Sequence, residues 1–173
     1  SVKNVIGADY VQDTKIYQSF ENEVSSQGLN VQHPDPGTDF SFGSGKFTVL
    51  SPQSISSNDN DNSVAIRLEN GINHFLFTGD AESTAESDML NTGLDLGADV
   101  YQVGHHGSRT SSSSAFLDAV APKYAVISCG AGNDYGHPHQ ETLDALSSRG
   151  IEIYRTDLQG SIVASTDGSS ISF

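Results

Sequence analysis

Two apolar runs in the middle of the chain each lead into residues that can bind a metal ion or transfer a proton. The first run ends at Phe77 and continues through a Thr-Gly pair to Asp80. The second run ends at Val103 and continues through one glycine to His105 and His106. Carboxylate oxygens and imidazole nitrogens are ligands that zinc and manganese accept, and loops at strand ends usually carry the active site of an α/β fold. Asp80, His105 and His106 are therefore candidate metal ligands.

A glycine-rich loop, residues 130–136, leads into a second histidine motif, His137-Pro-His139. An imidazole presented by such a loop can act as an acid, a base or a phosphate ligand. We therefore take His137, together with Asp80, as a candidate catalytic residue. For His139 the structural alternative is stronger, because this residue or the proline before it can simply open the next helix.

The first two motifs also have structural interpretations. Asp80 can be the N-cap of a following helix, and His105 and His106 can be one packed and one solvated residue at a strand end. Both motifs nevertheless follow consecutive apolar strands, and this combination favours a functional site.

The composition limits what the chain can bind. Its 173 residues are enough for one domain with a hydrophobic core. The net charge is −14, with only 8 Lys and Arg residues, whereas affinity for nucleic acid rests mainly on basic groups that neutralise phosphates. If the protein acts on DNA, metal ions or other regions must hold the phosphates. The acidic, Asn- and Ser-rich composition predicts an extracytoplasmic location.

Other features concern the context of the chain. No apolar run approaches membrane-spanning length, so we expect neither a signal peptide nor direct membrane contact in this segment. The chain begins at Ser1 rather than Met, which favours a piece of a longer protein. The single cysteine, Cys129, excludes an internal disulfide framework and lies in an apolar run, which predicts a buried structural thiol.

Hydrophobic periodicity and turn residues predict an α/β fold with a mixed sheet backed by helices. In the strand 63–69, Val64, Ile66 and Leu68 are predicted to face the core, and 51–62 is predicted to be an exposed, solvated loop. Asp13 is the predicted N-cap of the first helix. The predicted strands are 2–6, 29–33, 40–42, 47–50, 63–69, 74–77, 100–103, 124–129, 151–155, 161–164 and 170–173, and the predicted helices are 13–27, 82–90, 112–120 and 142–150.

Four segments carry a resemblance that covers nearly the whole chain and is strongest from Asn62 onward. They are FLFTGDAE, ADVYQVGHHGSRTSSSSAFLDAVAPKYAVIS, YGHPHQETLDAL and IYRTDLQGSI. Together they resemble the metallo-β-lactamase-fold domain of ComEC-type competence (DNA-internalisation) proteins. The HHGS segment with a following YGHPH is the specific part, whereas TGD alone is common.

The resemblance implies an αββα sandwich, here incomplete at its N-terminus, with residues 1–173 as the C-terminal portion of a single domain. It also implies a two-metal site with zinc or manganese that hydrolyses phosphodiesters. Asp80 would match the bridging carboxylate and His105 the last histidine ligand, with His106 as the alternative.

The main metal-binding motif of that family, HxHxDH, does not occur in these 173 residues. The only HxH is His137-Pro-His139, which is followed by Gln140 and Glu141 and lies after Asp80. Catalytic zinc sites usually need three protein ligands, so we expect the chain alone to be inactive or nearly so.

Three functions remain open. The chain is part of a nuclease-like hydrolase domain for DNA uptake, a secreted phosphodiesterase acting on cell-wall polymers, or a non-enzymatic scaffold. The expected partners are the N-terminal remainder of the domain, DNA held through other regions, and a second copy docked on an apolar sheet face. The alternative to that dimer is that the N-terminal hairpin and helix cover the face.

Overall fold

The computed structural model describes all 173 residues. Its strands are β1 (Val5–Ile6), β2 (Val31–Gln32), β3 (Asp39–Phe42), β4 (Gly45–Ser51), β5 (Ala65–Asn70), β6 (Asn73–Phe77), β7 (Val100–Gln102), β8 (Tyr124–Ile127), β9 (Glu152–Arg155), β10 (Ser165–Thr166) and β11 (Ile171–Ser172). Its helices are α1 (Lys15–Ser26), α2 (Ser83–Asn91), α3 (Ser114–Val120), α4 (Gln140–Ser147) and α5 (Thr156–Gln159), with short 3-10 helices at Asp59–Asn62 and Gly104–Gly107.

Seven of the strands form one mixed sheet in the order β3-β4-β5-β6-β7-β8-β9. Strands β3 to β6 run antiparallel to their neighbours, and β6 to β9 run parallel. The expectation of an α/β fold with a mixed sheet is therefore confirmed. Because β6, β7 and β8 are parallel, the loops that follow them leave the sheet at the same edge, which is called the carboxyl edge below.

The hydrophobic core lies between one face of this sheet and helices α2, α3 and α4. The register places Leu76 beside Tyr101 and Tyr101 beside Ala125, so these three side chains share that face. All three are fully buried. The helices contribute to the same core cluster through Ala85, Met89, Phe116, Leu117, Val120 and Leu146.

The opposite face of the sheet is apolar but only partly covered. A cleft of about 420 Å³ lies on it. Ile162 and Ala164, from the segment after α5, lie against this face. The sheet side of the cleft is formed mainly by Leu68, Phe75, Phe77, Val100 and Val126. The cover therefore comes from the C-terminal segment, and no residue before Leu68 lines the cleft, so the expected cover by the N-terminal hairpin and helix was wrong.

The predicted orientation of β5 was also wrong. Ala65 and Arg67 are buried on the helical face, whereas Ile66 and Leu68 are half-buried on the cleft face. Arg67 is accommodated because its guanidinium donates to the Gly97 carbonyl oxygen and pairs with Asp95. The alternation of apolar and polar residues predicts the wrong core face for this strand because both of its faces are partly covered.

Several predicted elements needed correction. Residues 51–62 are not a solvated loop, because Asp61 and Asn62 are buried in a 3-10 helix. Thr14, and not Asp13, caps α1, since its hydroxyl oxygen accepts from the Tyr17 N–H. Residues 161–164 form no strand, and helix α5 was not predicted. No helix of the chain has the length and apolar character needed to cross a membrane.

We predict that the chain is a monomer whose cleft face depends on Ile162. A charged side chain at this position would expose the apolar sheet face, because Ile162 lines the cleft. The neighbouring Val163 is 68% exposed and provides the matched control. Sedimentation at low micromolar concentration and hydrophobic-dye binding should show self-association and stronger dye binding for Ile162→Glu and neither for Val163→Glu. Equal behaviour of the two variants, or a dimeric wild type, would contradict this assignment of the cover.

Candidate functional site

The backbone at the carboxyl edge holds the candidate ligands in an unusual conformation. His105 and His106 both have left-handed dihedral angles, with φ of 48° and 56°. For a residue with a side chain this costs on the order of 1–3 kcal/mol, so the surrounding structure must enforce it. The His105 N–H donates to the Gly79 carbonyl oxygen at 3.0 Å, which ties the loop after β7 to the loop after β6. The Asp80 N–H in turn donates to the Ser63 hydroxyl.

Asp80 and His106 face each other across this edge. The distance from His106 Nε2 to Asp80 Oδ1 is 3.5 Å, and both side chains are about half exposed. The other ring nitrogen, Nδ1, lies 2.7 Å from the Ser128 carbonyl oxygen. A carbonyl oxygen only accepts, so Nδ1 carries a proton, and in the neutral ring the Nε2 lone pair points at the carboxylate. Two acceptors at this distance are complementary only when a proton or a cation lies between them.

His105 is oriented by a carboxylate that sequence reasoning missed. Its Nδ1 lies 3.0 Å from Glu82 Oε1 and 3.3 Å from the Thr110 hydroxyl. Burial pushes the pKa of Glu82 up, but hydrogen bonds from Thr110, Asn60 and Asn58 outweigh it and hold the pKa below its ordinary value. An ionised Glu82 favours a proton on Nδ1, which leaves Nε2 of His105 free for another partner. The signal in the sequence was Glu82 itself, two positions after Asp80.

His137 completes a cluster of imidazoles with His105 and His106. Its ring centre lies 5.5 Å from that of His105 and 6.3 Å from that of His106. Burial, followed by the neighbouring His139, His105 and His106 rings, lowers the pKa of His137. The ring is therefore neutral at pH 7 and can accept a proton.

His139 makes different contacts from those of the other three histidines. It is the N-cap residue of α4, although its side chain makes no capping hydrogen bond. Its Nδ1 accepts from the Arg109 N–H at 3.0 Å, and its own N–H donates to the Gly107 carbonyl oxygen at 2.9 Å. These two bonds join the loop that carries His105 and His106 to the loop that carries His137. His139 therefore helps to position these two loops. The interpretation of His139 as a helix opener did not include this contact.

The side chains at the carboxyl edge meet only part of what a zinc or manganese site needs. Asp80 and His106 face each other, and His105 and His137 lie nearby. No three His, Cys, Asp or Glu side chains in the chain, however, form a group that could hold a metal ion. A catalytic zinc site usually has three protein ligands, so these residues alone do not fit such a site. The roles of Asp80, His105, His106 and His137 as ligands or catalysts remain predictions.

The comparison with protein families agrees with the fold. Residues 6–131 match the model of the metallo-beta-lactamase superfamily. The chain belongs to this superfamily. The matched region contains β6, β7 and the loops that carry Asp80, His105 and His106.

Three curated relatives each match more than half of the chain, and the names of two of them refer to competence or recombination. The chain is 34% identical over 152 residues to ComE operon protein 3 of Bacillus subtilis, covering 87% of this chain and 19% of that protein. It is 41% identical over 105 residues to competence protein ComA of Neisseria gonorrhoeae (60% of this chain, 15% of that protein). It is 37% identical over 128 residues to recombination protein 2 of Haemophilus influenzae (73% and 16%). The resemblance to ComEC-type competence proteins is thereby confirmed, and the findings support a competence-related, hydrolase-like domain.

The buried carboxylate of Glu86 supports the loop that carries Thr110. Both oxygens of Glu86 accept backbone N–H groups, from Ser112 and Ser113. Burial raises the pKa of Glu86 despite these two donors. Glu86 therefore fixes the loop next to Arg109 and Thr110 while favouring its own protonated form.

We predict that Glu86 makes the chain less stable as the pH rises. Its folded-state pKa is raised above the ordinary value of 4.5, so the folded state binds more protons, and the stabilisation present below pH 4.5 is lost as the pH rises through the folded pKa. The free energy of unfolding of wild type minus that of Glu86→Gln should fall as the pH increases from about 4.5 toward neutrality. Exposed Glu23→Gln is the control. A difference that stays constant or rises would contradict the prediction.

We predict that Gly107→Ala destabilises the chain more than Gly132→Ala. Both glycines have positive φ, but an added Cβ at Gly107 would lie 2.6 Å from Pro138 Cβ, whereas nothing lies within 4 Å at Gly132. Left-handed strain alone costs about 1–2 kcal/mol, and overpacking adds about 1–3 kcal/mol. Denaturant unfolding of the two variants should show this difference. Equal losses would mean that the two loops are not packed as described.

Proposed function

We propose that this domain contributes one side of a metal-dependent phosphodiesterase site in a competence protein, and that its substrate is DNA. The observation that carries the proposal is the approach of His106 Nε2 to Asp80 Oδ1 at 3.5 Å. With Nδ1 bonded to the Ser128 carbonyl oxygen, the neutral pair needs a shared proton or cation, and we propose that a metal ion supplies it.

The remaining ligands must come from residues outside these 173, because the chain offers no group of three. The chain spans about a fifth of ComE operon protein 3, and less of the other two relatives. Such larger proteins have ample sequence for a ligand-rich motif. The N-terminal remainder of the domain is therefore the proposed partner at the carboxyl edge.

Within the site, His137 is the proposed proton acceptor. Its pKa is lowered, chiefly by burial, so the neutral imidazole predominates at pH 7. Asn133 positions it from both sides, since its amide donates to the His137 carbonyl oxygen and its Oδ1 accepts the His137 N–H. A neutral base on a fixed loop is suited to remove a proton from an attacking water.

The acidic surface limits how the substrate is held. With a net charge of −14, the domain repels phosphate over long range. Phosphate binding must therefore rest on the site itself and on other regions of the larger protein. An extracytoplasmic position, in keeping with this composition, is part of the proposal.

One observation favours a second candidate, a non-enzymatic scaffold domain. The chain lacks a three-ligand group, and a fold alone does not fix a function. In that case the two loops that are joined through His139 would serve as an interaction surface, and the imidazoles would bind no metal.

We predict that the 173-residue chain alone does not hydrolyse DNA with zinc or manganese, because it lacks most of the ligands. The measurement is cleavage of labelled single- and double-stranded DNA at a range of metal concentrations. Metal-dependent cleavage by the wild-type chain that is abolished in Asp80→Ala would contradict this prediction.

The positive test uses a full-length competence protein that carries this domain. Removing an outer hydrogen-bond partner of a metal ligand typically costs about 10- to 100-fold in activity. Asp80→Ala removes a proposed ligand itself, so the loss should be at least at the upper end of that range. Asp88→Ala, on the exposed surface of α2, is the matched control. Unchanged hydrolysis in Asp80→Ala would favour the scaffold.

A further inference from the structure

A large aromatic side chain stands exposed beside the imidazole cluster. Tyr135 is 78% exposed, although it lies in the loop that carries His137. Its ring is stacked on that of His137, with centres 5.7 Å apart and planes 20° apart. His137 is in turn stacked on His106 at 6.3 Å and 23°. The rings of His106, His137 and Tyr135 therefore lie in a row that begins beside Asp80 and ends in solvent.

The loop presents Tyr135 in a defined orientation. Asn133 bridges the loop, because its amide donates to the carbonyl oxygens of Gly130 and His137. The His137 N–H closes the turn on Asn133 Oδ1. Tyr135 lies between these anchor points, so one face of its ring rests on His137 and the side chain remains largely open. An aromatic ring held in this way loses little conformational entropy when a flat partner stacks on it.

The net negative charge of the chain favours a substrate contact that needs no basic residue. With 8 basic and 22 acidic residues, the domain cannot obtain substrate affinity from phosphate neutralisation. Stacking of a base on an aromatic ring requires no positive charge and tolerates any sequence. It requires a base that is free of its own helix, which a single strand provides and a duplex does not.

We infer that Tyr135 is a stacking platform for an unpaired base next to the scissile phosphodiester, so that the site accepts single-stranded nucleic acid. This inference rests on the proposed function and adds to it the strandedness of the substrate and the residue that selects it. Tyr135 contacts the substrate base and takes no part in bond cleavage.

The test is binding of a short single-stranded oligonucleotide to the purified 173-residue chain, in chelator and without metal, so that the outcome is independent of hydrolysis. Tyr135→Ala should weaken binding by about 5- to 150-fold, the range expected for the loss of one stacked base. Tyr135→Phe should retain the affinity because it keeps the ring. Phe42→Ala removes an aromatic ring that is 63% exposed on β3 and should have no effect.

Four further readouts separate stacking from other roles of the tyrosine. An oligonucleotide with abasic positions should bind the wild type as weakly as the normal one binds Tyr135→Ala. A duplex should bind more weakly than the single strand, and the salt dependence should be shallow because few phosphates are neutralised. A cell-wall polymer of repeating phosphodiesters should show no dependence on Tyr135.

The inference is overturned if Tyr135→Ala binds the single strand like wild type, or if the loss is the same for the abasic strand or the cell-wall polymer. Its failure is distinguishable from failure of the proposed function. Hydrolysis of a base-free phosphodiester by the full-length protein tests the latter and does not involve Tyr135.

Discussion

The candidate site depends on hydrogen bonds between two loops at the carboxyl edge of the sheet. The Gly107 carbonyl oxygen accepts from the His139 N–H, and His139 Nδ1 accepts from the Arg109 N–H. These bonds lie beside two consecutive histidines with left-handed backbone, a conformation that costs energy and needs enforcement. Gly107 permits the close approach because any side chain there would meet Pro138. Together with the two bonds between Asn133 and the His137 backbone, these bonds hold His137 beside His105 and His106.

The sheet topology explains why the bonds between the two loops form at this place. Strands β6, β7 and β8 are parallel and adjacent, so the loops after them leave the sheet together. The first loop brings Asp80, the second brings the two histidines, and the third brings Ser128 and the glycine-rich segment. Ligand sites of open α/β sheets lie at the carboxyl ends of strands for the same reason. The helical face supplies the rigid core beneath these loops.

The sequence predicted the long elements and the position of both ligand motifs directly after consecutive apolar strands, because apolar runs and glycines are local signals. It did not predict that Glu82 would orient His105, since this contact also depends on Asn58 and Asn60 from a loop 22 to 24 positions away. The same loop was predicted to be solvated. It is partly buried because of these contacts with Glu82. The orientation of β5 was mistaken because Arg67 is buried through partners 28 and 30 positions away. Long-range polar contacts of this kind leave no periodic pattern in the sequence.

The central claim is that backbone groups fix which ring nitrogen is free in His106 and in His139, and NMR measurement of the histidine tautomers tests it most directly. In neutral rings, long-range nitrogen–proton correlations should show His106 protonated at Nδ1, because this nitrogen donates to Ser128. They should show His139 protonated at Nε2, because its Nδ1 accepts from Arg109. These opposite tautomers should appear in one spectrum. A His106 protonated at Nε2 would place a donor toward Asp80, remove the need for a shared cation and contradict the account.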